Sequence, residues 1–217
     1  MKRTDGSSNG FELQPIRQIT GTSGFTQTFI TGARAPLFNV IGGLHNGWRV
    51  TMTTLGNERG GNATTQHVQY EKQFWKLVDE VRTLERQNDP IVRQKLAWAY
   101  TNAEIMRYAG LRTLSEVVAR KEPGPGASIN KMFWSEYARD LGEWVMNLRG
   151  AQSMVRPPGE SYALDRWQSA FLQSRSGTIW GGTAQVQRNI VGERVLGLPK
   201  ETTAEPTGWE AERGVDP

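Results

Sequence analysis

The sequence contains no cysteine, and His45 and His67 are its two histidines. The lack of cysteine excludes a disulfide framework, a thiolate metal site and a thiol nucleophile. Two histidines offer little material for a zinc site or for a serine–histidine–aspartate triad. We therefore predict a protein that binds no metal ion.

Long apolar runs are also missing. No run reaches the roughly 18 residues that identify a membrane-spanning helix. The charged N-terminus is followed by no apolar segment of the kind found in signal peptides. These two absences predict a cytoplasmic protein with no membrane association.

Charge is distributed unevenly along the chain. The formal net charge is +4, but residues 201–217 contain five acidic residues and one arginine, a net −4, which leaves +8 on residues 1–200. A basic body of this kind suits a phosphorylated ligand or a nucleic acid. The basic residues are interleaved with acidic ones, however, which favours an ordinary solvated helical surface. Residues 200–217 are predicted to form an acidic, disordered tail.

Two strands are predicted in the first 45 residues. The segments FELQPIRQI and FTQTFITGARA alternate imperfectly between apolar and polar residues, and TGTSG between them is typical of a turn. Two strands alone are marginally stable in water. We therefore expect them to be the end of a larger sheet.

From residue 46 to residue 199 the apolar residues recur at spacings of three and four, which predicts helices. Pro90 follows Asp89 at a position that suits the first residue of a helix. Long helices with short breaks predict a mainly α fold, an antiparallel four-helix-type bundle preceded by a short β segment. Five tryptophans on these helices are predicted to pack in the core or between helices: Trp75, Trp98, Trp134, Trp144 and Trp167.

The segment IWGGTAQVQRNIVGERVLGLP contains two adjacent glycines, Gly181 and Gly182, just before a helical stretch. Glycine permits the close approach of another group and unusual backbone dihedral angles. Thr183 stands where it can cap the helix, whose first N–H groups are open to an electron-rich ligand. A plain glycine turn with a threonine cap explains these residues equally well.

This segment resembles the C-terminal signature of the acyl-CoA dehydrogenase family. The stretch FTQTFITGARAPLFNVIGGLHNGWRVTMTTLGNERGG resembles the family's junction between its middle β domain and its C-terminal helical bundle. The resemblance covers residues 10–199, which implies that residues 1–45 are a remnant of the β domain and residues 46–199 the bundle. It implies FAD as cofactor, an acyl-CoA substrate, an electron-transferring flavoprotein as onward acceptor, and an oligomer. Gly182, Thr183 and Gln185 are then expected at the cofactor, and Gly182 also at the substrate.

The resemblance also implies where the catalytic base lies. Medium- and short-chain members carry a glutamate immediately before the second glycine, where this sequence has Gly181. A branch resembling isovaleryl- and long-chain dehydrogenases supplies a glutamate from the first bundle helix, directly before an arginine. The stretch TLGNERGG has Glu58 and Arg59 in that place. We predict Glu58 as the base and Arg59 as a substrate-binding residue. An exposed glutamate–arginine pair without a catalytic role is the alternative.

The sequence departs from the family pattern in three places. In many members a basic stretch late in the first bundle helix meets the FAD of a neighbouring subunit, and the corresponding run here reads YEKQFWK. Glu71 stands in place of the arginine and Trp75 in place of the glycine, so that Lys72 or Lys76 is expected to compensate or the cofactor geometry differs.

The glutamine and paired glycines that end the third helix of many members are replaced by NLRGAQS, in which Arg149 is expected to supply positive charge. The N-terminal helical domain and most of the middle β domain have no counterpart in residues 1–217. Two functions therefore stay open: the C-terminal portion of an FAD-dependent acyl-CoA dehydrogenase, or a non-catalytic bundle subunit or truncated product that needs a partner chain to complete the flavin site. A nucleic-acid binder is disfavoured, because no recognition motif is present.

Overall fold

The structure, a computed structural model, describes residues 10–119, 127–155, 157–159 and 163–200, without the side chains of residues 56–64 and 127. Two strands, β1 (Phe11–Ile16) and β2 (Phe25–Ile30), precede the helices. The helices are α1 (Gly47–Thr83), α2 (Pro90–Val118), α3 (Ala127–Arg149), α4 (Arg166–Gly177) and α5 (Ala184–Ile190), and one turn of π-helix (Val191–Val195) continues α5. This architecture confirms the predicted mainly α fold with a short β segment in front of it.

The two strands form an antiparallel hairpin. Phe11 lies opposite Ile30, and Ile16 lies opposite Phe25. The chain reverses at Gly21, whose φ of 83° is in the left-handed region that favours glycine. Every residue of both strands is exposed, so within the described residues neither face of the hairpin is covered.

Side-chain caps mark the starts of α2 and α4. The Asp89 carboxylate accepts hydrogen bonds from the N–H groups of Ile91 (2.8 Å) and Val92 (3.3 Å) at the start of α2. Asp165 and Gln168 form a reciprocal capping box at the start of α4. Both caps satisfy backbone donors that the helix itself leaves unpaired.

The core lies where α1, α2, α3 and α4 meet. Its residues follow the predicted helical spacing, because positions three and four apart share one face of a helix. The core side chains are Tyr70, Phe74, Leu77, Ala99, Ala103, Met106, Tyr137, Leu141, Val145 and Trp167.

The tryptophan prediction is correct for four residues and wrong for the fifth. Trp167 is buried, and Trp98, Trp134 and Trp144 are partly buried against the core. Trp75 is 54% exposed. It follows Phe74 directly, and the roughly 100° rotation between adjacent helical residues places it off the buried face.

One end of the α1–α2 hairpin extends past the core. Among the described side chains, the first buried residue of α1 is Tyr70 and the last of α2 is Gly110. Beyond these two positions most large apolar residues whose side chains are described are exposed: Trp48, Met52, Leu55 and Val68 on α1, and Leu111, Leu114, Val117 and Val118 on α2. The helical spacing of Met52 and Leu55 predicts that both are buried. Both are exposed, because they lie in the part of α1 that precedes its first buried described residue, Tyr70, and no described element buries them.

Candidate functional site

The two glycines form the tight connection between α4 and α5. The dihedral angle φ is 66° at Gly181 and 94° at Gly182, so both residues are in the left-handed region. Trp180, just before them, contacts Trp134 of α3, with 5.8 Å between the ring centroids. The turn is therefore held against α3 on one side and opens to solvent on the other, where Ile179 and Trp180 are more than half exposed.

The group that approaches Gly182 most closely is a side chain of this same protein. A Cβ atom on Gly182 would collide with the side-chain amide of Gln187. That amide donates a hydrogen bond from Nε2 to the Gly181 carbonyl at 3.1 Å. Lys131 of α3 donates from Nζ to the Gly182 carbonyl at 2.5 Å. No motif in the sequence singles out Lys131, which lies 51 residues before the turn.

Thr183 caps α5, as the sequence indicated. Its Oγ1 accepts a hydrogen bond from the Val186 N–H at 3.2 Å. Gln185 is exposed on the first turn of the helix. Thr183 and Gln185 line one cavity of about 350 Å³ together with Glu136, Arg139, Thr178, Ile179, Ala184 and Arg188. The structure thus brings Gly182, Thr183 and Gln185 together around the glycine turn.

This smaller cavity is polar and carries two arginines. Arg188 forms an ion pair and a hydrogen bond with Glu136. Arg139 pairs with Asp140 at 2.9 Å. Arginines fixed by neighbouring carboxylates retain N–H donors for an oxygen-rich ligand, since a guanidinium has five of them.

A larger cavity of about 570 Å³ lies between α1, α3 and α4 and reaches the turn at Trp180. Its lining combines three cations, Lys72, Lys76 and Arg166, with the aromatic rings of Tyr70, Trp134, Trp167 and Trp180, and includes no carboxylate. Sequence spacing did not reveal it, because its walls come from helices that are distant in sequence.

Arg149 is engaged within the bundle. Its guanidinium lies 3.1 Å from a Glu80 oxygen on α1 and 2.7 Å from an Asp165 oxygen before α4. Trp167 Nε1 donates to the other Glu80 oxygen at 3.0 Å. Burial alone would raise the pKa of Asp165, but the Gln168 N–H and the Arg149 guanidinium outweigh it and lower that pKa. The positive charge expected of Arg149 is therefore paired with two carboxylates of this same chain, Glu80 and Asp165.

Glu58 and Arg59 lie on α1. Their side chains are outside the residues that the structure describes. Their roles remain predictions from the sequence, as do the domain boundaries at residues 45 and 199. The predicted tail falls almost entirely in residues 201–217, which are also outside the described part.

Comparison with known proteins identifies the family. The model of the acyl-CoA dehydrogenase C-terminal domain matches residues 45–196. The chain belongs to the acyl-CoA dehydrogenase family. The acyl-CoA dehydrogenase IpdE1 of Mycobacterium tuberculosis is 40% identical over 192 residues, which are 88% of this chain and 49% of that protein. FadE34 of the same organism is 31% identical over 90% of this chain and 26% of its own length.

Solved acyl-CoA dehydrogenases share the fold. The structure described as the Tcur3481-Tcur3483 steroid ACAD superposes with a TM-score of 0.76 at 26% identity, over 88% of this chain and 50% of that one. The ChsE4-ChsE5 complex from Mycobacterium tuberculosis superposes with a TM-score of 0.68 at 25% identity, over 89% and 50% of the two chains. This chain spans about half the length of the curated IpdE1 relatives that it matches. None of its described helices has the length and apolarity needed to cross a membrane.

Proposed function

We propose that this chain forms the C-terminal half of an FAD-dependent acyl-CoA dehydrogenase, which removes hydrogen from the α and β carbons of an acyl-CoA thioester. The observation that carries the proposal is the family match over residues 45–196. The glycine turn, with Gly182, Thr183 and Gln185 grouped beside a polar cavity, supports it.

The residues around the turn fit a flavin nucleotide. Thr183, Gln185, Arg139 and Arg188 would hold its polar and anionic groups, since hydroxyl, amide and guanidinium groups all donate hydrogen bonds. FAD, when bound, supplies the acceptor for the β-hydride. Gly181 and Gly182 bring no side chain of their own to the turn, so that its backbone would face the ligand.

Glu58 is the proposed base for the α-proton. Gly181 carries no carboxylate, and Glu58 occupies the family's alternative position on α1. A water-poor surrounding would raise the pKa of a carboxyl group and strengthen it as a base. Arg59, next to it, would bind the acyl-CoA through its charge.

The similar structures support a proposal for the substrate class and for the assembly. Because a similar structure is described as a steroid ACAD, we infer a CoA thioester of a steroid-derived acid as substrate. Because another is described as a ChsE4-ChsE5 complex, we infer an oligomer with a second, different dehydrogenase chain. An electron-transferring flavoprotein is the proposed onward acceptor of the electrons.

The test uses flavin-loaded enzyme in which this chain is assembled with the rest of the fold. Glu58→Gln keeps the size of the side chain and removes its basicity, so acyl-CoA should still bind while flavin bleaching slows about 10²–10⁴-fold. Asp79→Asn, an exposed carboxylate-to-amide change on the same helix, is the matched control and should bleach at the parent rate. Bleaching within about threefold of the parent rate in Glu58→Gln, far below the loss expected for a general base, would place the base elsewhere.

The second candidate function is a bundle subunit that completes a partner's flavin site without a base of its own. Two similar structures are described by pairs of chain names, Tcur3481-Tcur3483 and ChsE4-ChsE5, which supports this second function. It predicts that Glu58→Gln leaves the bleaching rate of the assembled enzyme unchanged, whereas loss of this chain releases FAD from the partner. Absorbance of the purified assembly with and without this chain measures that release.

A further inference from the structure

Lys131 is a buried cation whose ammonium group contacts the glycine turn. The residue is 8% exposed, and its Nζ atom donates to the Gly182 carbonyl at 2.5 Å. It forms no ion pair with any carboxylate in the described part of the chain. Burial lowers the pKa of Lys131, but a neutral amine keeps N–H donors, so the contact does not depend on the charge. Burying a lysine without a carboxylate partner costs free energy, which indicates that the contact between Lys131 and the turn serves a function.

Gln187 holds the same turn from the α5 side. Its side chain is fully buried, and its Nε2 atom donates to the Gly181 carbonyl at 3.1 Å. Its Oε1 atom has no hydrogen-bond partner among the described residues. An unpaired buried oxygen costs stability, so the hydrogen bond to the turn is what this glutamine contributes.

These two contacts fix the orientation of two peptide planes. The described peptide bonds are all trans, and in a trans peptide the C=O and the N–H point in opposite directions. When Lys131 holds the Gly182 carbonyl, the Thr183 N–H points away from Lys131. When Gln187 holds the Gly181 carbonyl, the Gly182 N–H points away from Gln187. Two adjacent donors are thereby turned away from the side chains that hold the turn.

We propose that Lys131 is a positioning residue of the flavin site, which with Gln187 sets the turn so that the Gly182 and Thr183 N–H groups meet a carbonyl oxygen of the ligand. That oxygen belongs either to the flavin ring or to the acyl thioester. The proposal rests on the proposed function, since it assigns the turn to a flavin and acyl-CoA site. Lys131 acts through the turn and does not itself touch the reacting atoms.

The first experiment measures the turn in this chain alone. Lys131→Met keeps the aliphatic stem and removes the donor. We expect hydrogen–deuterium exchange of the Ala184 N–H, which bonds the Thr178 carbonyl across the turn at 3.0 Å, to accelerate about tenfold, because one hydrogen bond that holds the turn is lost. The melting temperature should change by no more than a few degrees. Lys95→Met, an exposed change on α2, should leave both values at those of the parent.

A second variant guards against misfolding of the first. Lys131→Gln keeps an N–H donor on a shorter stem, and its exchange rate should lie between those of the parent and Lys131→Met. Exchange at the parent rate in both variants would overturn the proposal, because Lys131 would then not hold the turn.

The second experiment measures ligand affinity in the assembled enzyme. We expect Lys131→Met to weaken FAD binding about tenfold if the flavin carries the acceptor oxygen, or binding of a non-oxidisable acyl-CoA analogue about tenfold if the thioester carries it. Parent affinity for both ligands, despite a loosened turn, would overturn the proposal. Failure of the proposed function is detected separately: acyl-CoA would then not bleach the flavin of the parent enzyme. The Ala184 exchange and the FAD affinity are measured without turnover, so they test Lys131 in either case.

Discussion

At Gly182 two separate requirements exclude a side chain. The φ angle of 94° is one that L-amino acids rarely adopt, and the Gln187 amide occupies the place of a Cβ atom. Gly150, after α3, has only the first requirement: its φ is 55°, and no neighbouring atom lies within 4 Å of the place that a Cβ atom would take. Comparing the two glycines therefore separates the free-energy cost of the backbone conformation from the cost of the steric collision.

Gly150→Ala should cost about 1 kcal/mol of unfolding free energy, the usual penalty for a side chain in the left-handed region. Gly182→Ala should cost about 1–3 kcal/mol more, because the Gln187 amide must move and gives up its hydrogen bond. Urea denaturation of both variants measures the difference. Equal losses would show that Gln187 yields freely at this turn.

How far the sequence predicts the site depends on the separation of the residues. The glycine turn and the Thr183 cap are local features, and the sequence predicted both. Lys131 touches Gly182 across 51 residues, and nothing about a lysine on an amphipathic helix distinguishes it from a solvated one. The ion pair of Arg149 was not predicted for the same reason, since its partner Glu80 lies on another helix.

At the scale of elements, Asp165 joins three helices at one end of the bundle. Its carboxylate caps α4 through the N–H groups of Trp167 (2.8 Å) and Gln168 (2.9 Å). It also pairs with Arg149 at the end of α3, which in turn pairs with Glu80 on α1. One residue thus serves as a helix cap and as part of an ion-pair network.

Two substitutions separate these roles of Asp165. Asp165→Ser keeps a capping oxygen and loses the ion pair, whereas Asp165→Ala loses both and should be less stable than the serine variant by about 1 kcal/mol. Chemical denaturation at neutral pH gives the two values. Identical stabilities would mean that the cap contributes nothing measurable to α4.

The same residue gives the protein part of its acid sensitivity. The folded-state pKa of Asp165 is lowered, so its contribution to stability is present above the unfolded pKa of about 3.9 and is lost as the pH falls through the folded value. In Asp165→Ser this component is absent. The loss of stability between about pH 7 and pH 3, a range that spans the titration of an aspartate, should therefore be smaller in the variant than in the parent.

The helices were predictable because the spacing of the apolar residues agrees with the residues that mark helix starts. Pro90 after Asp89 marks the start of α2, and the spacing of Phe74, Leu77 and Val81 marks the buried face of α1. Exposure within the fold was less predictable. Met52 and Leu55 continue the helical spacing of α1 in sequence, but both are exposed, because burial depends on which elements pack against that end of the helix and the spacing alone does not specify them.

At the scale of the molecule, apolar surface is concentrated around the hairpin and the segment that follows it. Leu37 is 81% exposed, Phe38 87% and Ile41 78%. Large contiguous apolar patches on a folded protein mark contact surfaces or sites of aggregation. In the proposed enzyme, we expect this surface to contact the rest of the assembly.

Phe38→Ser should reduce self-association of the isolated chain while changing its unfolding free energy by less than about 0.5 kcal/mol, since an exposed side chain makes few contacts. Phe74→Ser, in the core at 7% exposure, is the matched change and should cost about 3–5 kcal/mol. Light scattering and thermal unfolding give the two readouts. Strong destabilisation by Phe38→Ser would mean that Phe38 is part of the folded core.

Because one end of the α1–α2 hairpin extends past the core, any tilt of α1 about the point where it enters the core is amplified at that end. Glu58 lies 12 residues before Tyr70, the first buried residue described on α1, which is about 18 Å at 1.5 Å per residue. Over that length, a tilt of about 10° at the core would swing the Glu58 backbone by about 3 Å. A misplacement of about 1 Å can cost about a hundredfold in rate. For Glu58 as the proposed base, its position therefore depends on the surface that packs against this end of α1, and a partner chain that packs there would control the rate of the proposed enzyme without touching its substrate.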